Sequence, residues 1–151
     1  EDFAHWTIPF LKKAGIIQGT DEEIALVKQA LPLIQERIVK LDEAPQLLKF
    51  LFVTEFAIDS DAVSKVNDES AQSILKRAHS DLEQLSTWTH ESIEAALRAS
   101  LIEEMGLKPR IAFTDLRIAT TGSTISPPLF ESMELLGKQA CLARISQALA
   151  L

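Results

Sequence analysis

The spacing of apolar residues constrains this chain more than any other feature. Ile24, Val27, Leu31, Ile34, Ile38 and Leu41 recur at steps of three and four. Ile74, Leu75, Ala78, Leu82 and Leu85 follow the same rule, as do Ile93, Leu97, Leu101 and Met105. That spacing lines one face of a helix. No long stretch alternates with period two, and β-branched residues never cluster between turn signals, so strands have no template. The fold class that follows is all-α.

Helix ends can be placed by their punctuation. A first helix runs from Asp2 to Ala14 with Phe3, Trp6, Phe10 and Leu11 on one face, Pro9 as a kink or break, and Gly15 as its end. Asp21, Glu22 and Glu23 bring negative charge to the start of the next, which the macrodipole favours. Pro32 lies inside its stripe and predicts two helices or one bent helix, with Gln35, Glu36, Arg37 and Lys40 facing solvent. Asp42 is a cap for a helix with Pro45 in its first turn and Leu47, Leu48, Leu51 and Phe52 buried. After a connection over 56–61 comes a short helix near Asp61, then a longer one from Ser70 to Leu85.

Trp88-Thr89 is the clearest internal boundary: Thr89 is a good N-cap, and Trp88 can staple onto Ile93. That helix closes at Gly106. Two helical subdomains, 1–86 and 87–151, are therefore expected. Beyond Pro109, Ile111, Ala112, Leu116 and Ala119 give an apolar face, while Arg110 and Arg117 share another side, and Gly122 ends the helix. Ser126 is a candidate N-cap with Pro127 at the first helical position, and Phe130, Met133 and Leu136 face inward until Gly137. The last helix buries Leu142, Ile145 and Leu149.

At 46% apolar residues the chain has the composition of a folded globular protein. Its apolar runs are broken by charge well short of the roughly 20 residues a membrane span needs, and no leader pattern opens it, so a soluble protein without a membrane partner is expected. One cysteine, Cys141, allows no internal disulfide and fits a reducing compartment. The net charge of −7 argues against nucleic acid until its distribution is counted. Residues 1–107 carry 10 basic and 19 acidic side chains, and residues 108–151 carry 5 and 3. The last third alone offers phosphate a favourable field.

A catalytic constellation is not legible. His5, His79 and His90 are far apart and in no metal-ligand spacing, so no metal is expected. Cys141 lies in an apolar helix and reads as a core residue. No phosphate-cradling glycine loop and no nucleophile elbow occur, and the carboxylates are scattered over helix faces. What remains is a set of short elements around Gly122. Amides at a helix start attract anions or base acceptors, Arg117 offers a planar donor fork, and Pro127 and Phe130 add flat apolar surface for an unstacked base. Two readings stay open on these residues: a single-stranded RNA platform, or a helical protein-interaction module without RNA binding. Convergence of Lys108, Arg110 and Arg117 on the Ser126 helix start favours the first, and dispersal favours the second.

Leu116-Arg117-Ile118-Ala119-Thr120-Thr121-Gly122, followed by the run from Ser126-Pro127-Pro128-Leu129-Phe130 to Gly137-Lys138, resembles the C-terminal signature of bacterial glutamyl-tRNA synthetases. The Trp88-Thr89 helix start and Leu51-Phe52 are similar to that family as well. The resemblance covers essentially the whole chain and implies a helical anticodon-binding region of two small subdomains. The catalytic domain of such enzymes, with its HIGH and KMSKS motifs, is not in this chain. It implies a parent enzyme, monomeric and cytoplasmic, that attaches glutamate to its tRNA with ATP and Mg, neither of which this region would hold. The partner implied is the glutamate tRNA. By position Arg117 and Leu129 match residues contacting the first anticodon base, Ser126, Pro127 and Phe130 match those around the second, and Arg37 lies where an arginine serves the third. Lys108 and Arg110 are candidates for RNA backbone contact. Ser126 replaces a threonine of relatives, and Asp115 replaces a proline and softens the local positive field.

The chemistry of the third base agrees with an arginine. Glutamate anticodons end in C and glutamine anticodons in G. A guanidinium only donates, so it can satisfy O2 and N3 of cytosine, whereas guanine turns its N1 and N2 donors to the same place. A mismatched bidentate contact costs ~1–3 kcal/mol.

Overall fold

A computed structural model describes residues 2–34, 44–53 and 56–151. The regular structure among them is helical: α1 Asp2–Lys13, α2 Asp21–Ile34, α3 Ala44–Leu48, α4 Val63–Val66, α5 Glu69–Glu83, α6 His90–Leu97, α7 Pro109–Thr121, α8 Leu129–Leu136 and α9 Lys138–Leu149. A 3₁₀ turn, Lys49–Leu51, follows α3, and α6 continues as a π-helical segment, Arg98–Glu104. Ile38, Leu41, Asp42 and the solvent face with Arg37 fall outside the described residues.

Local chemistry explains the starts. Thr20 and Glu23 cap α2 reciprocally: Glu23 N donates to Thr20 Oγ1 at 3.2 Å, and Glu23 Oε1 accepts from the amides of Gln18, Gly19 and Thr20. Those bonds, the Thr20 amide first, hold the Glu23 carboxyl below its usual range. Asp68 caps α5 through the Ala71 amide at 2.7 Å. Thr89 caps α6 in a box with Ser92, as its position predicts. Pro9 and Pro32 both lie within helices rather than ending them.

The π-helical segment answers a spacing problem in the sequence. Ile93, Leu97 and Leu101 recur strictly every fourth residue, and in an α-helix each such step swings the stripe forward by roughly 40°. Wider turns swing it back. Met105 N bonds to Ser100 O five residues earlier at 3.0 Å, and all three stripe residues are fully buried.

Buried side chains gather in two clusters. Ala4, Leu11, Val27, Leu31, Ile34 and Leu48 belong to the first, built from α1 to α3. The second runs from Ala62 to Ala148 and takes residues from α5, α6, α7, α8 and α9. Thus α5, on the N-terminal side of the expected 86/87 division, shares its core with the helices beyond that division. The clusters meet where α2 packs on α8, with Leu135 against the first cluster.

Three apolar faces differ from expectation. Trp6 is 61% exposed and Phe10 39%, while Ala4, Thr7 and Leu11 turn inward, because the buried stripe of α1 follows the three-four rule and the large aromatics flank it. Ile111 is 50% exposed at the first turn of α7, before the helix meets its neighbours. In α9 the buried residues are Cys141, Arg144, Ile145 and Ala148, with Leu142 and Leu149 half-buried at the edges.

Candidate nucleic-acid interface

The link between α7 and α8 is the structural centre of the C-terminal half. Gly122 ends α7 at φ +83°, its amide donates to Ile118 O at 2.8 Å, and its carbonyl accepts from Asp59 N at 2.8 Å. Ala57 O would lie 2.9 Å from a Cβ placed there. Left-handed backbone and close approach together require glycine.

Downstream, α8 begins at Leu129, with Pro128 as N-cap at φ −49°, ψ 136° and no side-chain cap. The expected cap at Ser126 is therefore corrected. Ser126 and Pro127 each precede a proline, which pushes both toward extended backbone, so the helix can start only beyond Pro128. Ser132 N makes the first intrahelical bond, to Pro128 O at 2.9 Å. In the first turn of α8 the Leu129, Phe130 and Glu131 amides have no acceptor within the helix.

Arg117 joins the two elements. Its Nη1 donates to Ser126 Oγ and, at 2.9 Å, to Pro127 O. The half-buried guanidinium thus shapes the turn that carries the α8 amides. Ser126 is 3% exposed, Pro127 is buried, and Leu129, at 4%, belongs to the second core cluster. Leu129 consequently offers a ligand little surface of its own. Phe130 is half-buried and meets Phe113 edge-to-face, with centroids 5.0 Å apart, while Arg98 lies over the Phe113 ring at 5.3 Å. The Phe130 ring is braced on one side by Phe113, and Pro127, being buried, adds no open surface beside it.

The structure brings together Arg117, Ser126, Pro127, Leu129 and Phe130. It does not bring Lys108 and Arg110 to them: the three cations do not converge on the start of α8, so their placement alone does not favour an RNA platform over a protein-interaction module. Lys108 is the N-cap of α7, and Arg110, seven residues before Arg117, stands about 10 Å away along the axis, on the same side. Asp115 lies two residues from Arg117, roughly 200° around the helix. It is half-buried, and burial first, then the charge of Asp68, pushes its carboxyl up to about 6. It therefore bears on Asp68 and the start of α5 rather than on the field at Arg117. Arg37 lies outside the described residues.

A second layer holds this link from behind. Arg144 Nη1 donates to Thr120 O and Nη2 to Phe50 O, both at 2.8 Å, and the guanidinium stacks on Phe56 at 4.1 Å. Gln147 Nε2 donates to Phe56 O at 2.8 Å. The signal in the sequence is an arginine three residues after Cys141 and four before Ala148, on the face the last helix buries.

His90, Glu91 and Glu134 form the one group of potential metal ligands found among the described residues. Glu134 Oε1 already accepts from His90 N at 2.6 Å and lies 3.0 Å from Nδ1. The hydrogen bond from Glu134 raises the imidazole above its usual range, and those from His90 lower the carboxyl. A histidine ring set between the Glu91 and Glu134 carboxylates, bonded to the latter, explains the group as a clasp joining α6 to α8. Cys141 is fully buried, and that burial pushes its thiol up to about 12. The five glycines stand singly in links and at helix ends, giving no loop for a nucleotide's phosphates. No helix among the described residues is long and apolar enough to cross a membrane.

Residues 2–149 match the family model described as an anticodon binding domain. The glutamate–tRNA ligase of Acidothermus cellulolyticus is 48% identical over 155 residues, covering 100% of this chain and 31% of the ligase. That of Saccharopolyspora erythraea is 44% identical over 148 residues, covering 96% of this chain and 29% of its own length. The glutamate tRNA ligase of Elizabethkingia meningosepticum, solved in complex with its amino acid, superposes with a TM-score of 0.73 at 22% identity. It covers 97% of this chain and 29% of that one, and supports the fold. The chain thus spans about three tenths of the length of these relatives.

Proposed function

Since the chain belongs to the anticodon-binding domain family, we propose that it is the part of a glutamate–tRNA ligase that reads the anticodon of the glutamate tRNA. The observation that carries this reading is the Arg117 fork, tied to Ser126 Oγ and Pro127 O at the turn that opens α8. A base turned out of the anticodon loop would meet three groups there: the edge of that guanidinium, the first-turn amides of α8, and the rim of Phe130. Arg117 and Leu129 are assigned to the first base. Ser126, Pro127 and Phe130 are assigned to the second, through the shape and carbonyls of the turn. Arg37 is assigned to the third on the donor chemistry of its guanidinium. Lys108 and Arg110, on the exposed first turn of α7, suit phosphates away from the bases.

The ligation itself would belong to the remaining length of the parent enzyme, a cytoplasmic monomer using ATP and Mg. The histidine–carboxylate clasp and the isolated glycines do not fit either group, so no chemical step is assigned to this chain.

Binding of the chain to an isolated glutamate anticodon stem-loop tests the reading. The expected result is salt-sensitive affinity that falls about ten- to a hundredfold when a base contacted by a bidentate donor is changed, and a comparable loss with Arg117→Ala. Equal affinity for an unrelated stem-loop at moderate salt would reject base readout.

A further inference from the structure

Arg144 is a charged residue in the interior, 8% exposed, and among the described residues no carboxylate pairs with it. Burial draws its pKa below the usual arginine range, the cost of holding a cation away from water. The charge is met by two backbone carbonyls and an aromatic face. Thr120 O is an end carbonyl of α7, where the helix dipole favours a cation, and Phe50 O lies in the 3₁₀ turn after α3. Phe56 stacks beneath at 4.1 Å. A buried charge with no counter-ion among the described residues is a costly way to fill a core; an apolar residue of that size would serve packing alone.

What the fork does that an apolar residue could not is fix two directions at once. One arm holds the turn of α7 three residues after Arg117. The other holds the segment that leaves the first helical cluster. Gln147 Nε2 grips Phe56 O from the same face of α9, and Asp59 N closes on Gly122 O. Segment 56–59 is thereby held at two residues, Phe56 by α9 and Asp59 by the end of α7.

We propose that Arg144 is a positioning residue for anticodon recognition. It locks the last turn of α7, and with it Arg117, to the chain leaving the first cluster, so that the two halves present their RNA-reading groups in one register. The inference rests on the function proposed above. Lysine keeps the charge but, as a single ammonium without a planar fork, cannot reproduce both in-plane bonds and the stacking.

The test compares this chain with Arg144→Lys on three RNA stem-loops: the glutamate anticodon, the same with G at the third position, and the same with its second base changed. Wild type is expected to prefer the glutamate loop over both. In Arg144→Lys the preference at the third position should fall about tenfold, while that at the second, set within the α7–α8 turn, should stay within about twofold. A residue that only stabilises the fold would lower the binding-competent fraction and leave both ratios unchanged, and that result overturns the proposal. So does a parallel fall of both ratios. Should Arg144→Lys not fold, Gln147→Ala removes one bond at an exposed side chain, and the same selective loss, about two- to threefold, is expected. A wild-type chain with no preference among the three loops would reject the anticodon reading itself, before any variant is measured.

Discussion

Asp115 is a half-buried carboxyl facing the carboxyl that caps α5, and both burial and that neighbour disfavour its charge. With a folded pKa of about 6 against an unfolded value near 3.9, the folded chain binds more protons than the unfolded one between those limits. Stability should therefore fall as pH rises from about 4 to about 6. Asp115→Asn removes the charge and should flatten this part of the profile. At pH 7 the variant should be more stable by about 1 kcal/mol, once the exposed half of the carboxyl is discounted for solvent screening. Urea unfolding of both chains at pH 4.5 and pH 7 checks it; a gain of equal size at both values would contradict the assignment. The identity of this residue was plain in the sequence, but its effect was not. Spacing puts residues 115 and 117 on opposite sides of one helix, yet only packing says which side holds Asp68.

At the scale of elements, terminators were the most legible features. Thr89 and Gly122 do what their chemistry predicts, because a cap or a left-handed glycine acts within one turn of chain. The start of α8 was misplaced by two residues because the effect of consecutive prolines on their predecessors outweighed the N-cap preference of Ser126. The π-helical segment accommodates the strict four-residue spacing of Ile93, Leu97 and Leu101, which an α-helix can also bury, so no local pattern announced it. Gly122 also gives the sharpest mutational expectation. Gly122→Ala meets left-handed backbone worth ~1–2 kcal/mol and a Cβ 2.9 Å from Ala57 O. The combined loss should exceed about 2 kcal/mol in chemical denaturation. A loss below about 1 kcal/mol would mean that segment 56–59 does not press on the end of α7 as described.

For the whole molecule, the all-α class follows from periodicity alone, while the grouping of helices does not. Trp88 looked like a boundary because it precedes a cap. In the fold its Nε1 donates to Met133 O at 3.0 Å, fastening α6 to α8 inside one core that also contains α5. Likewise Trp6 and Phe10 belong to the expected stripe of α1 by spacing, yet lie on its open side. Long-range partners of this kind are set by which faces meet, information that no local pattern holds. The candidate site lay between these extremes: Arg117, Ser126, Pro127, Leu129 and Phe130 fall within one run of the chain and stay together in the fold, whereas Arg144 and Phe56, which brace that turn from distant segments, carried no local signal of that role. The central claim is that the α7–α8 turn reads the anticodon loop, and a nucleotide-resolution footprint on glutamate tRNA tests it most directly. Protection by this chain should concentrate on the anticodon bases and disappear with Arg117→Ala; protection centred on the acceptor stem, or unchanged by that substitution, would contradict the claim.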